Sequence, residues 1–328
     1  MSIHNLFREN FKSELNKFIK KKDGLILLIC TNSYQQFLNP ILSSASLFAK
    51  KWGILLIKIG NYDLKKENTS KQLFSTHIDL NDLNLENINS NQLKSVSANI
   101  RGPIIYELSK FIETKKLIYT DVDALIVRDL SNFFNLLPNN KKITLRKIKK
   151  NWIDLMRPHS KHYPYKGGCI ALNTRRGYIS QDPILIEFSN QYSQYCWENK
   201  FIWAADQDGL KNIAENFPKI NQYINISSLL VDWSFRPWSY IWAAKGFRKN
   251  ALIWSINSKL IIFSKSKENL KINFKIFKFK FSTKIIKDLI YLAKTILYPL
   301  AFLRFEVFYP VLKISNYCFK IFFKIIKK

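Results

Sequence analysis

Glycine and proline are scarce, 9 and 10 residues in 328. That excludes collagen-like and linker-rich chains and argues against a turn-dense all-β architecture. The 4 cysteines (Cys30, Cys169, Cys196, Cys318) form no CxxC and no paired spacing. Neither a disulfide scaffold nor a zinc site is expected, and buried free thiols in a reducing compartment fit the pattern. No run of about 20 uncharged apolar residues occurs, so no ordinary transmembrane helix is expected. The nearest approach, Leu289 to Leu303, is broken by Lys294 and Pro299. Residues 1–22 are polar and basic, and the first apolar run, Leu25 to Cys30, is too short for a signal-peptide core. Acidic residues are also few: 24 against 52 Lys and Arg, a formal charge of +28. Such an excess calls for a polyanionic partner, whether nucleic acid, a phosphate-bearing substrate or an anionic membrane.

Apolar residues make up 47% of the chain, ample for a core. Gly24 to Cys30 is short, aliphatic and continuous, which predicts a buried strand. It ends in Thr31-Asn32-Ser33, a polar turn, and helical spacing follows from Gln35 to Lys51, with Pro40 placed to delay the start. Gly53 to Gly60 reads as a second strand. Strand, helix and strand in this order make a βαβ unit and imply a parallel sheet. Residues 61–95 read as polar surface elements. A helix is expected over Ile104 to Glu113 and a strand over Lys116 to Thr120. Further strands are expected at Ile143 to Leu145 and Gly168 to Asn173, and helices at Asp182 to Asn199 and Asp206 to Phe217. No internal repeat is visible.

Composition changes near residue 265. From Lys271 to Lys328 the chain has 13 Lys and Arg against Asp288 and Glu306. Lys313, Lys320, Lys324 and Lys327 fall on one helical face, mostly opposite Ile314, Phe319, Phe322, Phe323 and Ile326. That pattern suits a helix lying in an anionic membrane interface; a packed C-terminal helix with lysines outward is the plainer alternative. No nucleic-acid motif is present, and no nucleic-acid partner is expected. The expected division is a catalytic domain over 1–265 and a basic amphipathic tail over 266–328.

The sharpest local feature is Leu117-Ile-Tyr-Thr-Asp121-Val-Asp123-Ala-Leu-Ile-Val127. Two carboxylates one residue apart follow one buried apolar run and precede another. In a regular strand they share a side and repel, unless a cation bridges them or water solvates them. Oxygen ligands suit Mn²⁺ or Mg²⁺. Such an ion could clamp a diphosphate and stabilise a departing nucleotide. A surface turn with two solvated acids is the ordinary alternative.

Together with four other segments, this stretch resembles the GT-A fold nucleotide-sugar glycosyltransferases, most of all glycosyltransferase family 8 and its relatives. The others are Cys30-Thr-Asn-Ser-Tyr34, Ser97-Ala-Asn-Ile-Arg101, Lys166-Gly-Gly-Cys-Ile-Ala-Leu-Asn-Thr174 and Ala205-Asp-Gln-Asp-Gly-Leu210, in the family's order across about residues 24–215. The resemblance implies an α/β, Rossmann-like, mainly parallel mixed sheet with flanking helices. It also implies transfer of a sugar from a nucleoside-diphosphate sugar to a saccharide or glycolipid acceptor, with retention of configuration. Asp123 would bind the metal directly, with Asp121 bridging metal and ribose. Thr31 and Asn32 would line the nucleoside pocket, and Arg101 would lie near the sugar nucleotide. Asp206 would bond the donor sugar's hydroxyls and Gln207 would lie near the reacting carbon; a helix cap with solvated first-turn acids is the alternative for this pair.

The chain departs from the family's late His-x-x-Gly-x-x-Lys. Gly246-Phe-Arg-Lys249 keeps the glycine and lysine, but the histidine position falls on Ala243; another alignment falls on Trp254-Ser-Ile-Asn257. All four histidines (His4, His77, His159, His162) lie elsewhere. Lys245, Arg248 and Lys249 remain diphosphate candidates. His159-Ser-Lys-His162, flanked by Pro158 and Pro164, reads as a basic loop over the donor site, with an ordinary surface loop as the alternative. Trp233, Phe235, Trp238, Tyr240 and Trp242 read as core before they read as an acceptor platform. With the tail, these features suggest an enzyme peripheral to the inner face of the cytoplasmic membrane. Two rivals stand beside this: a catalytically inactive GT-A domain used for binding or scaffolding, motivated by the missing histidine, and a nucleotidyltransferase, which would need a Gly-rich phosphate loop not visible after Cys30.

Overall fold

The computed structural model describes residues 6–65, 70–79, 81–83, 85, 88–147, 165–232, 235–244, 251–266, 292 and 296–299. The amphipathic segment from Lys313 onward, His159, His162, Trp233, Lys245, Arg248 and Lys249 lie outside them. In chain order the elements are α1 (Glu9–Ile19), β1 (Leu25–Thr31), a 3-10 turn (Asn32–Phe37), α2 (Leu38–Phe48), β2 (Gly53–Ile59), β3 (Leu73–Ile78), α3 (Ser90–Asn99), α4 (Arg101–Ser109), β4 (Lys116–Thr120), β5 (Ala124–Ile126), α5 (Leu130–Asn135), β6 (Ile143–Lys147) and β7 (Tyr165–Asn173). Then come α6 (Pro183–Glu198), α7 (Ala205–Asn216), α8 (Pro218–Asn221), β8 (Ile224–Ile226), β9 (Val231–Asp232), β10 (Ile241–Ala243) and α9 (Leu252–Ser266).

Among the described residues the strands form a seven-stranded sheet, ordered β3-β2-β1-β4-β7-β6-β8, and a three-stranded sheet, β5-β10-β9. β1 runs parallel to β2 and β4, and β2 parallel to β3. β7 is antiparallel to β4 and β6, and β6 is parallel to β8. This is the expected mainly parallel mixed sheet with flanking helices.

Both faces of the large sheet are covered, which explains the aliphatic runs Leu25 to Ile29 in β1 and Ile54 to Ile57 in β2. Leu25 and Leu27 enter one apolar cluster with Ile104, Ile105 and Leu108 of α4 and Leu185 and Phe188 of α6. Ile26, Leu28 and Cys30 enter the opposite cluster with Leu38, Ile41, Leu42 and Ala45 of α2. Alternation continues on β4: Leu117 and Tyr119 face the first cluster, Ile118 the second. α9 packs against α2.

Several expectations shift. Residues 61–95, read as surface elements, hold the sheet's edge strand β3 and most of α3. β3 is only partly buried along most of its length, so its composition is more polar than that of an inner strand. Pro40 sits in the first turn of α2, where a missing N–H costs no helical bond. Asp182 caps α6, accepting from the Ile184 and Leu185 amides at 3.1 and 3.4 Å, with Pro183 at the first helical position. No helix of the described residues is long and apolar enough to cross a membrane.

Candidate functional site

The chain builds β1, β2 and β3 outward in one direction, then places β4 on the other side of β1. Such a reversal opens a crevice at the C-terminal ends of the two parallel strands, where α/β sheets bind ligands. Leu27 of β1 pairs with Tyr119 of β4, so Thr31 and the residues after Thr120 reach the same edge. β7 is reversed, so its beginning meets the end of β4, with Thr120 opposite Cys169. The Asp121 amide donates to Gly168 O at 3.1 Å.

Asp121 and Asp123 do not continue a strand. β4 ends at Thr120, and residues 121–123 turn into β5 of the second sheet. The strand rule for i and i+2 therefore does not govern this pair. The turn joins the two sheets: Asp123 O accepts from the Ala244 amide at 2.9 Å, beside the β5–β10 pairing of Ala124 with Ala243. Both side chains are nearly buried, Asp121 at 9% and Asp123 at 2% exposure.

A buried arginine gathers the site. Arg101 opens α4, which covers the same face of the sheet as Tyr119. Its guanidinium lies 5.0 Å from the Tyr119 ring centroid. Arg101 Nη1 donates to Gly167 O at 2.6 Å and pairs with Asp206 Oδ2 at 3.1 Å. Its Nη2 is 3.5 Å from Asp121 Oδ1, which also accepts from the Tyr119 hydroxyl at 2.5 Å. Gly167 is required here, because a Cβ would stand 1.6 Å from Asp206 Oδ2. Residues from α4, β4, β7 and α7 thus converge on one point, with Asp206 in the first turn of α7, where the helix dipole favours a carboxylate.

The protonation states are set by burial and these charges. Burial alone would lower the Arg101 pKa, but Tyr119, Asp206 and Asp121 outweigh it and hold the value well above the ordinary one. Burial pushes Tyr119 well above the tyrosine range against the pull of Arg101, and Asp121 adds to the rise. The phenol keeps its proton and donates a hydrogen bond to Asp121. Burial, then the charge of Asp121, raises the Cys169 thiol; burial, then Asp206, raises Cys196. Both thiols are protonated at neutral pH, so neither is an activated nucleophile.

The structure therefore joins Asp121 and Asp206 through direct contacts with Arg101, and Asp123 follows two residues on in the same turn. Thr31 and Asn32 lie at the end of β1; Thr31 Oγ1 is 3.1 Å from Ser33 Oγ, and Asn32 Oδ1 accepts from Gln35 Nε2 at 2.7 Å. Gln207 follows Asp206, half-buried, in the first turn of α7. Sequence reading missed Tyr119, whose signal was its position two residues before Asp121 on a buried strand. It also gave Asn99 no role; that residue accepts from the Asp206 amide at 3.0 Å. Of the aromatic cluster, Phe235, Tyr240 and Trp242 are buried core, and Trp238 is exposed.

Of the two alignments for the missing histidine, the one falling on Ala243 lies next to the Asp121–Asp123 turn. Asn257 instead bonds back to Ile253 O at 2.8 Å within α9. Among the described residues no three His, Cys, Asp or Glu side chains group to hold a metal. Asp121 and Asp123 stand two residues apart in one turn and offer oxygen ligands alone. That all-oxygen set fits a hard divalent cation that keeps water or phosphate oxygens for its other ligands.

No protein-family model matches the chain, and no curated protein matches it. Solved structures similar to it include the apo form of the glycosyltransferase GlyE of Streptococcus pneumoniae, with TM-score 0.44 and 13% identity over 75% of this chain and 64% of that one. The galactosyltransferase LgtC in complex with donor and acceptor sugar analogues has TM-score 0.42 and 11% identity over 73% of this chain and 95% of that one. Mouse xyloside xylosyltransferase 1 has TM-score 0.39 and 13% identity over 62% of this chain and 85% of that one. The chain thus spans less than two thirds of GlyE.

Proposed function

We propose that this protein is a metal-dependent glycosyltransferase that moves a sugar from a nucleoside-diphosphate sugar to a saccharide or lipid-linked acceptor. One observation carries the reading: Arg101 draws the carboxylates of Asp121 and Asp206 together at the switch point of the sheet, the two acids the family resemblance assigns to the metal–ribose side and the sugar side of a donor. Thr31 and Asn32, at the end of the neighbouring strand, stand where the nucleoside would bind.

Asp123 and Asp121 would hold Mn²⁺ or Mg²⁺, which supplies neutralisation of the charge on the leaving diphosphate. Asp206 accepts hydrogen bonds from the sugar's hydroxyls and is itself oriented by Arg101. The Arg101–Tyr119 pair holds Asp121 in one orientation. Gln207 lies next to the reacting carbon. Lys245, Arg248 and Lys249 are proposed as further diphosphate contacts, and retention of configuration follows the family resemblance. The catalytic unit is proposed to cover 1–265, with 266–328 as a basic tail that seats the enzyme on the inner, anionic leaflet, each lysine adding about 1 kcal/mol there.

A panel of nucleotide sugars assayed with Mn²⁺ tests the reading. Wild type is expected to turn over at least one donor, and Asp206→Asn and Asp123→Asn to lose about 100-fold or more in kcat. No turnover of any donor, with tight nucleotide binding retained, would favour the inactive scaffold. Turnover of nucleoside triphosphates instead would favour a nucleotidyltransferase. Removal of residues 266–328 should release the protein from anionic vesicles; unchanged binding would remove the membrane role.

A further inference from the structure

Asn99 is the last residue of α3, fully buried, two residues before Arg101. Its side chain touches four backbone groups of one segment far away in sequence. Asn99 Nδ2 donates to the carbonyl oxygens of Asn199, Lys200 and Ile202 at 3.3, 3.0 and 2.9 Å. Its Oδ1 accepts from the Asp206 amide at 3.0 Å. Only one orientation of the amide satisfies this set, since a flip would set oxygen against three carbonyls and N–H against N–H. Asn99 thus grips the backbone of Asp206 while Arg101 grips its carboxylate.

The segment needs such a grip. Phe201, Ile202 and Trp203 are exposed by 44, 52 and 63%, so their apolar burial contributes little to its fixed shape. Ala204 adopts φ 63° and ψ 22°, the left-handed region that strains a non-glycine residue. Strain of this kind persists where surrounding contacts over-determine the backbone. The segment also leads straight into Asp206, which pairs with Arg101, and Gln207 follows in the first turn of α7.

We propose that Asn99 is a positioning residue: its carboxamide fixes the 199–206 backbone in the conformation that presents Asp206 and Gln207 to the donor sugar. The sugar part of this rests on the glycosyltransferase reading; the backbone part does not. Without Asn99 the left-handed turn relaxes, and Asp206 loses the orientation that Arg101 alone cannot set, because a guanidinium pairs with a carboxylate from several backbone positions.

Amide hydrogen exchange on the ligand-free protein, Asn99→Ala against wild type, tests the backbone part. Exchange across 199–206 is expected to quicken at least about tenfold while α6 is unchanged; equal rates across 199–206 would overturn the proposal. Donor binding tests the rest. Affinity for the bare nucleoside diphosphate should hold, while nucleotide-sugar affinity falls toward that of the diphosphate and kcat drops about 10- to 100-fold. A variant with wild-type kcat and sugar affinity would overturn the positioning role. A wild type that binds no nucleotide sugar would instead refute the glycosyltransferase reading and leave the exchange result to decide on Asn99. Adding Ala204→Gly relieves the left-handed strain and should slow the exchange of Asn99→Ala again. Should Asn99→Ala fail to fold, Asn99→Ser and the same measurements decide.

Discussion

At the scale of single residues, the site is a contest between burial and charge that pairing resolves. A buried guanidinium between two carboxylates is costly to break from one side. Arg101→Met should destabilise the fold by about 3–5 kcal/mol, because it leaves Asp121 and Asp206 buried without that partner. Tyr119→Phe keeps the ring under Arg101 and removes only the hydroxyl bond to Asp121, so about 1–2 kcal/mol is expected. Denaturant midpoints at constant slope measure both; equal losses for the two variants would contradict the arginine's central place. Gly167→Ala is the sharpest steric probe, since the new methyl overlaps Asp206 Oδ2. It should displace that carboxylate and lower donor-sugar affinity more than nucleotide affinity, as read by calorimetry. These residues were only partly legible in advance. Asp121, Asp123, Arg101 and Asp206 carried a motif; Tyr119 offered only its place two residues before Asp121, and Asn99 offered nothing, because its role depends on a partner 107 positions away in sequence.

At the scale of elements, short aliphatic runs marked the inner strands because both faces of the sheet are covered. The edge strand β3 escaped notice for the converse reason, since its half-exposed face tolerates Ser75 and His77. The turn after β4 was read as strand geometry, yet the chain leaves one sheet for another there, and no local pattern announces which sheet a three-residue strand will join. The cap of α6 is a local device at the expected start of that helix. Asp182 bonds two amides of the first turn and pairs with Lys142 at 2.7 Å. Asp182→Ala should cost about 1–2 kcal/mol, while Asp182→Asn, which still caps, should cost less. If thermal melts show equal losses for the two variants, the ion pair and not the cap dominates.

At the scale of the whole molecule, the excess of 28 positive charges sets how the protein meets phosphate and anionic surfaces, but it does not set the fold. Stability against pH is governed by the buried thiols and phenols. Burial raises Cys30 from 9.0 to about 11, and it raises Cys169, Cys196, Tyr119 and Tyr192 as well. The folded state then binds more protons than the unfolded chain above the unfolded values. Their contribution is complete below about pH 9 and is lost as pH climbs through the folded values. Melting temperature is therefore expected to fall from pH 9 to 11; a flat profile across that window would show that these groups open to water. The β1–α2–β2 unit and its parallel pairing were legible from spacing alone, whereas β3, the second sheet and the arginine bridge required the folded chain.

The most direct measurement is a crystal structure with Mn²⁺ and a nucleoside diphosphate, recorded at a wavelength where manganese scatters anomalously. The expected result is an anomalous peak bonded to Asp123 and Asp121, with the diphosphate on the same ion and the base beside Thr31. An ion bound elsewhere, or a nucleotide away from the Arg101–Asp121–Asp206 cluster, would contradict the assignment of this site.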